Sequence, residues 1–348
     1  MHEKVLRTVV VFWMIVLASA GVVMTDACAQ AAGAFARMGF GARGIAMSNA
    51  LVADAFADGA PYYNPALAPF ASGQSIEAST ALLSLDRELQ FLQFATVLAP
   101  SAGIAAGLIH AGVAEIDGRD NSGYHTQDYS IDEFAFFLAF GTHISPRLTA
   151  GVGLQLFRAN FYEELEPVNS LGIDAGLTYL LTENMRLGLA VDDLLASYSW
   201  DTSDLYGSEG ATTSDHFPVR VRFGGAFRFL DDRAQLTGEY ESQITSSEHR
   251  TRNVEVVGDR PQEVVTSRRS RVHDSVFRLG AEWVLTDVFT LRAGLDRIGT
   301  DRFAGMTPTG GFKVDQPVGP LLARAEYAFM LEPYGVSAMH LITLRIFL

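Results

Sequence analysis

Residues 217–229 read FPVRVRFGGAFRF, and their period of two decides the fold class. Phe217, Val219, Val221, Phe223, Phe227 and Phe229 fall on one side of an extended chain, with Arg220, Arg222, Gly224 and Arg228 on the other. The pattern recurs. Leu171, Ile173, Ala175, Leu177 and Tyr179 alternate with Gly172, Asp174, Gly176 and Thr178. Phe277, Leu279, Ala281 and Trp283 alternate with Arg278, Gly280 and Glu282, then Leu291, Ala293 and Leu295 with Arg292, Gly294 and Asp296. Ala323, Ala325, Tyr327 and Phe329 do so with Arg324 and Glu326. About fourteen such strands are expected, over 75–85, 89–99, 103–116, 131–144, 148–162, 169–181, 185–193, 217–229, 233–245, 275–286, 289–299, 305–314, 320–331 and 337–348. Most run to about ten residues or more, longer than the ~5–6 of a globular strand and close to the ~9–11 that cross a bilayer at a tilt.

Alternation alone fits two architectures. A soluble sandwich turns its apolar face to a core, whereas a membrane barrel turns it to lipid and keeps the polar or small face for a lumen. Connection lengths separate them. The connections near 100–102, 145–147, 182–184, 230–232, 287–288 and 315–319 are short, and those near 117–130, 194–216 and 246–274 are long. Long and short fall on opposite parities, the arrangement of external loops and periplasmic turns in an outer-membrane barrel. An all-β, transmembrane, antiparallel barrel of about 14 strands is therefore expected over 75–348. Residues 337–348 alternate to Leu348, as the closing strand of such a barrel would.

Composition agrees. The 348 residues carry 26 Lys and Arg against 40 Asp and Glu, a net charge of −14, which disfavours nucleic acid as a partner. Charged residues make up 19% and hydrophobic residues 48%, too apolar a chain for intrinsic disorder. The single Cys, Cys28, excludes a disulfide framework.

The first thirty residues pair a basic start, Lys4 and Arg7, with an apolar run over 9–20 and a small-residue site at Ala27-Cys28-Ala29. This reads as a signal peptide over 1–29, cleaved before Gln30; an uncleaved anchor is the alternative. Export across the inner membrane is implied, which removes a cytoplasmic enzyme from consideration.

Residues 30–74 break the alternation. Gly39-Phe40-Gly41-Ala42-Arg43-Gly44 satisfies G-x-G-x-x-G, but it lacks the preceding strand, crossover helix and downstream acid of a dinucleotide site. The stretch Phe40-Gly41-Ala42-Arg43-Gly44-Ile45-Ala46-Met47-Ser48-Asn49-Ala50, with Ala57-Asp58 and Tyr62-Tyr63-Asn64-Pro65-Ala66, resembles the opening of the PorV/PorQ proteins, relatives of the FadL-type hydrophobic-compound transporters of gram-negative outer membranes. The resemblance implies a fourteen-stranded barrel with residues 30–74 as a plug in its lumen, and makes Gly41, Ala42, Arg43, Met47, Asn64, Pro65 and Ala66 its motif. Met38, Met47, Leu51, Val52 and Phe56 are spaced to give an apolar helix face, which Pro65 would end.

No metal constellation, nucleophile elbow or catalytic cluster stands out, so neither an enzyme nor a cofactor is expected. Arg220, Arg222, Arg278, Glu282, Arg292, Asp296, Arg324 and Glu326 should face the lumen, either as a network that holds the plug or as a substrate path. Three functions remain open. These are passage of hydrophobic or amphipathic compounds, capture of secreted cargo proteins in type IX secretion as in some PorV/PorQ relatives, and a structural role. The expected surroundings are outer-membrane lipid, lipopolysaccharide and the barrel assembly machinery. Residues 246–274 hold Arg250, Arg252, Arg260, Arg268, Arg269 and Arg271, a basic external loop that could extend its flanking strands as a hairpin.

Overall fold

The computed structural model describes residues 32–56, 58–162, 164–202, 212–257, 260–298, 306–331 and 337–348, with the backbone alone at 213 and 247–270. The leader over 1–29, Cys28 and the cleavage point before Gln30 lie outside the described residues, as do the side chains of Arg250, Arg252, Arg260, Arg268 and Arg269.

Fourteen antiparallel strands close into a barrel. They are β1 (Ser75–Leu82), β2 (Arg87–Leu98), β3 (Ala102–Arg119), β4 (His125–Ser145), β5 (Leu148–Asn160), β6 (Val168–Thr182), β7 (Met185–Leu194), β10 (Val219–Phe229), β11 (Ala234–Val257), β12 (Arg260–Val284), β13 (Phe289–Ile298), β14 (Thr307–Val318), β15 (Leu321–Leu331) and β16 (Ala338–Phe347). Each pairs with its sequence neighbour, except that β7 passes directly to β10 and β16 returns to β1. A separate two-stranded sheet, β8 (Ser197–Asp201) with β9 (Thr212–His216), sits in the connection between β7 and β10. The described helical pieces are short: a 3₁₀ turn at Ala34–Arg37, α1 at Gly41–Ala46 and a 3₁₀ turn at Pro65–Phe70.

The barrel is apolar outside and charged inside. Val152, Trp283, Ile342 and Leu344 point outward at 58%, 55%, 51% and 51% exposure, while Arg222, Glu239 and Glu326 are buried. No described helix is long and apolar enough to cross a membrane. An outward Arg or Lys at mid-bilayer depth would cost roughly 2–4 kcal/mol, which confines the guanidiniums to the lumen.

Three expectations are corrected. The segment 117–130 is mainly strand rather than loop, because β3 and β4 keep pairing beyond the membrane, whereas 246–274 extends β11 and β12 as the hairpin its alternation allows. Residues 194–216 contain β8 and β9. Phe217 is not on the outward face. It precedes β10 and is buried inward against Phe157 and Tyr198.

Candidate functional site

Residues 32–74 run through the lumen, and the wall is shaped to receive them. Gly103, Gly141, Gly151 and Gly176 are mutual register partners on β3, β4, β5 and β6, forming one row across four strands. A Cβ on any of them would collide with the 3₁₀ turn at Pro65–Phe70 or its Asn64 cap. Gly188 and Gly224 are paired beneath Val52, and Gly280 and Gly294 beneath Met47. This belt of glycines lets two backbones touch where side chains would hold them apart.

No helix spans 38–56, contrary to the apolar-face expectation. The chain leaves α1 at Met47 through left-handed Ser48 and Asn49, at φ 54° and 62°. The apolar side chains are instead packed singly against the wall, with Met47 and Leu51 fully buried. Pro65 opens a 3₁₀ turn rather than ending a helix, since a proline at the first helical position loses no bond. Extended Asn64 caps that turn. Its side-chain oxygen accepts from Ala66 N at 3.0 Å, and its amide donates to Val52 O at 2.7 Å. Ala66 lies fully buried behind it.

Polar ties fasten plug to wall. Ala42 N donates to Thr343 Oγ1 at 2.9 Å, and Val52 N to Glu239 Oε2 at 3.0 Å. Gly41, at φ 72°, sits where a Cβ would strike the Glu77 carboxylate. Arg43 pairs with Asp54 within the plug and donates to Glu282 at 3.1 Å. Glu282 also accepts from Arg292 at 2.7 Å, and Arg292 reaches Glu326 at 3.1 Å. Arg324 bridges Asp315 on the wall at 2.6 Å and Asp58 on the plug. Arg222 donates to Asp192 and, at 2.5 Å, to the Tyr63 carbonyl. Arg186 and Arg228 lie over the Phe56 ring. Burial favours a neutral Asp58, but Arg324 and Arg345 outweigh it and hold the carboxyl well below the usual range. Between plug and wall remains a cavity of about 30 Å³ lined by Phe40, Arg43, Tyr63, Glu77 and Arg345, room for about one water.

Toward the long-loop end of the belt the two sides of the lumen differ. On β2–β5, Phe91, Phe137 and Phe157 face inward beside Ala105, Ile109 and Ala135. Plug residue Phe40 stacks on Phe91 at 5.2 Å, Tyr62 meets Phe137 edge-on at 5.3 Å, and Phe35 meets Phe157 at 6.4 Å. The β8–β9 sheet covers this wall. Tyr198 and Phe217 pack ring to ring at 4.9 Å, the Tyr198 hydroxyl donates to Glu133 at 3.2 Å, and Phe217 lies against Gly33. On the opposite side the buried carboxylates of Asp174, Asp192, Asp193, Glu239, Glu241 and Asp296 lie with the guanidiniums of Arg220, Arg222 and Arg278. Arg220 donates to Asp193 at 2.9 Å, and Arg278 to Glu241 and Asp296 at 2.8 Å each.

Arg220, Arg222, Arg278, Glu282, Arg292, Asp296, Arg324 and Glu326 are buried inside the wall; Glu282 and Arg324 pair directly with plug residues Arg43 and Asp58, and Arg292 is joined to the plug through Glu282. The aromatic wall and the β8–β9 cover were not anticipated. In 89–99 both faces are apolar, which hides Phe91; the alternation Ser197-Tyr198-Ser199-Trp200 was the available signal for β8. On the external β3–β4 hairpin, Asp117, His125 and Asp128 gather within reach of one another, with Asp117 also engaged by Arg119.

The architecture is similar to that of FadL-like outer-membrane barrels. The toluene transporter TbuX of Ralstonia pickettii matches with a TM-score of 0.55 at 14% identity, over 88% of this chain and 97% of that one. TodX, the toluene transporter of Pseudomonas putida, matches with 0.53 at 15% identity, over 88% and 97%. A FadL homologue from Pseudomonas aeruginosa gives 0.55 at 11%, over 88% and 97%. At such identities the likeness is one of fold. No family model and no curated protein matches the chain.

Proposed function

We propose that this protein is a plugged passage for hydrophobic or amphipathic small molecules across the outer membrane of a gram-negative bacterium, exported by its cleaved leader. One observation carries the reading: an aromatic wall inside the lumen, in two ring groups, Phe91 with Phe137 and Phe157 with Phe217 and Tyr198. A barrel that only conducted water or braced the membrane would have no use for apolar rings buried in its interior, where the polar face belongs. The fold shared with toluene transporters supports the same reading. The 39–66 motif favours the PorV/PorQ branch. Passage is preferred over cargo capture because the apolar surface is enclosed in the lumen and not displayed at the rim.

The test is uptake of labelled toluene into proteoliposomes holding the purified chain. Wild type should accelerate uptake over empty vesicles. Phe137→Ala with Phe157→Ala should remove most of the gain while preserving the heat-modifiable gel mobility of a folded barrel. Uptake equal to that of empty vesicles would refute the proposal.

A further inference from the structure

The β8–β9 cover lies over the aromatic wall yet shares no ladder with the barrel: β7 pairs directly with β10, and the cover forms a sheet of its own. A two-stranded sheet is marginal by itself, so what it rests on decides where it stays. The chain leaves β7 through left-handed Asp193 and Leu195, at φ 61° and 70°, and comes back at Phe217-Pro218. Phe217 N donates to Ala196 O at 3.0 Å, which draws the base of the excursion into a narrow neck. Two polar ties run from the cover to the wall: Ser197 N donates to Ser170 Oγ at 2.8 Å, and the Tyr198 hydroxyl donates to Glu133 at 3.2 Å. The rest of the hold is aromatic. Tyr198 meets Phe161 edge-on at 5.6 Å and Phe217 at 4.9 Å, and Trp200 meets Phe161 at 6.1 Å. With the cover down, Tyr198, Phe157 and Phe217 are 1%, 2% and 3% exposed, so their rings fill the space beneath it. The Tyr198 side chain is itself a para-substituted phenol. Its ring lies between phenylalanines, and its hydroxyl meets a carboxylate that follows Phe137 and Ala135 along the inward face of β4. A place with aromatic walls and one acceptor at its end favours a hydroxylated ring over the same ring without a donor, which would leave the acceptor unpaired.

Resting on the passage reading, we infer that the seat of Tyr198 beneath the β8–β9 cover is a binding place for phenols, single aromatic rings that carry a hydroxyl, and that the cover lifts to vacate it. The ligand's ring lies against Phe157, Phe161 and Phe217, which stay with the wall and the neck, and its hydroxyl donates to Glu133 in place of Tyr198. Aromatic hydrocarbons enter by the same opening and use the rings alone. Because Tyr198 leaves before any ligand takes its seat, its hydrogen bond to Glu133 is a latch, and removing the latch makes the seat easier to reach for every ligand.

The experiment is calorimetric titration of the purified full-length protein in non-ionic detergent with p-cresol and with 4-methylanisole, in which a methyl group replaces the donated hydrogen. Wild type should bind p-cresol about tenfold more tightly, as one hydrogen bond to a buried acceptor allows. Glu133→Leu should bring the two probes within about twofold of each other. Tyr198→Phe, which keeps the ring and removes the latch, should strengthen both several-fold and preserve their ratio, whereas a merely structural Tyr198 would give a loss. A Ser170→Cys, Ser197→Cys pair can join cover to wall at their 2.8 Å contact, and Cys28, the single native cysteine, lies in the leader. Oxidised, this variant should bind neither probe; reduced, it should regain both. Heat-modifiable mobility reports that each variant is folded. Equal affinity of wild type for the two probes, a preference that survives Glu133→Leu, weaker binding by Tyr198→Phe, or binding by the oxidised pair overturns the inference, and toluene uptake by wild type then leaves the passage reading standing. If toluene uptake also equals that of empty vesicles, both fall.

Discussion

The lumen on the two sides of the glycine belt is built to opposite rules. Toward the short-turn end, charges are matched across short bonds: Arg43 with Glu282, Arg292 with Glu282 and Glu326, Arg324 with Asp315 and Asp58. Toward the long-loop end, acids outnumber bases and face a wall of rings. Buried charges without partners are costly, whereas paired ones can break even and are strongly destabilised when one member is lost. The matched half therefore behaves as a clamp on residues 41–70. The same residue types thus do different work according to whether each charge already has its counterpart.

The belt itself offers the largest way to break this division. Gly151→Leu drives a side chain into the backbone of Pro65 and Ala66, which cannot yield as a flexible side-chain end would. The plug should leave its seat, and planar-bilayer recordings should show steady conductance where wild type is closed. A closed variant would mean the glycines are not what seats the plug. Next in size, Arg43→Ala strands Asp54, while Glu282 keeps Arg292, a loss of at most about 3–5 kcal/mol for a buried pair losing one member. Hydrogen exchange over 41–56 should rise sharply, while Phe137→Ala in the other half leaves it unchanged and weakens toluene binding. If the two variants traded phenotypes, the division into clamp and chamber would be wrong. The smallest effect concerns pH. Asp58 is held below its ordinary value near 3.9 by Arg324 and Arg345, so its contribution is present at neutral pH and persists below pH ~4. It is lost only as pH falls through the lowered folded-state value. Proteolysis of the 58–70 segment should therefore be flat from pH 7 to about 4 and increase only in stronger acid. An increase between pH 7 and 5 would mean the Arg324 pair does not form.

Much of this was legible in the one-dimensional pattern. A period of two assigns each side chain a face, so Arg220, Arg222, Arg278, Glu282, Arg292, Asp296, Arg324 and Glu326 could be placed in the lumen without knowing any neighbour. What alternation cannot supply is register. Gly103, Gly141, Gly151 and Gly176 are scattered in sequence and become one surface only when four strands are aligned. The aromatic wall was hidden for a different reason. Phe91 lies in a segment whose two faces are equally apolar, so contrast between faces, the quantity alternation measures, vanishes there, and Phe157 shares its inward face with Thr149, Gly151, Gly153 and Gln155, which mark that face as polar. In the plug, Met47, Leu51 and Val52 carry helical spacing, but contacts to the wall override local propensity and the helix stops after Ala46. Pro65 was read as a terminator because sequence gives its position without its partners.

The seam of the barrel joins the two ends of the strand array, from Ser75 opposite Phe347 to Leu82 opposite His340. The plug is attached immediately ahead of that seam, at Gly73 and Gln74, with Gln74 O accepting from Leu348 N at 2.9 Å. Synthesis from the amino end therefore delivers the plug first and the closing strand last. Loop-closure entropy grows only with the logarithm of chain length, so the great sequence distance between β1 and β16 adds little to the cost of pairing them. What it imposes is an order of events: the cork is made before the bottle, and the pairing of β16 with β1 encloses it.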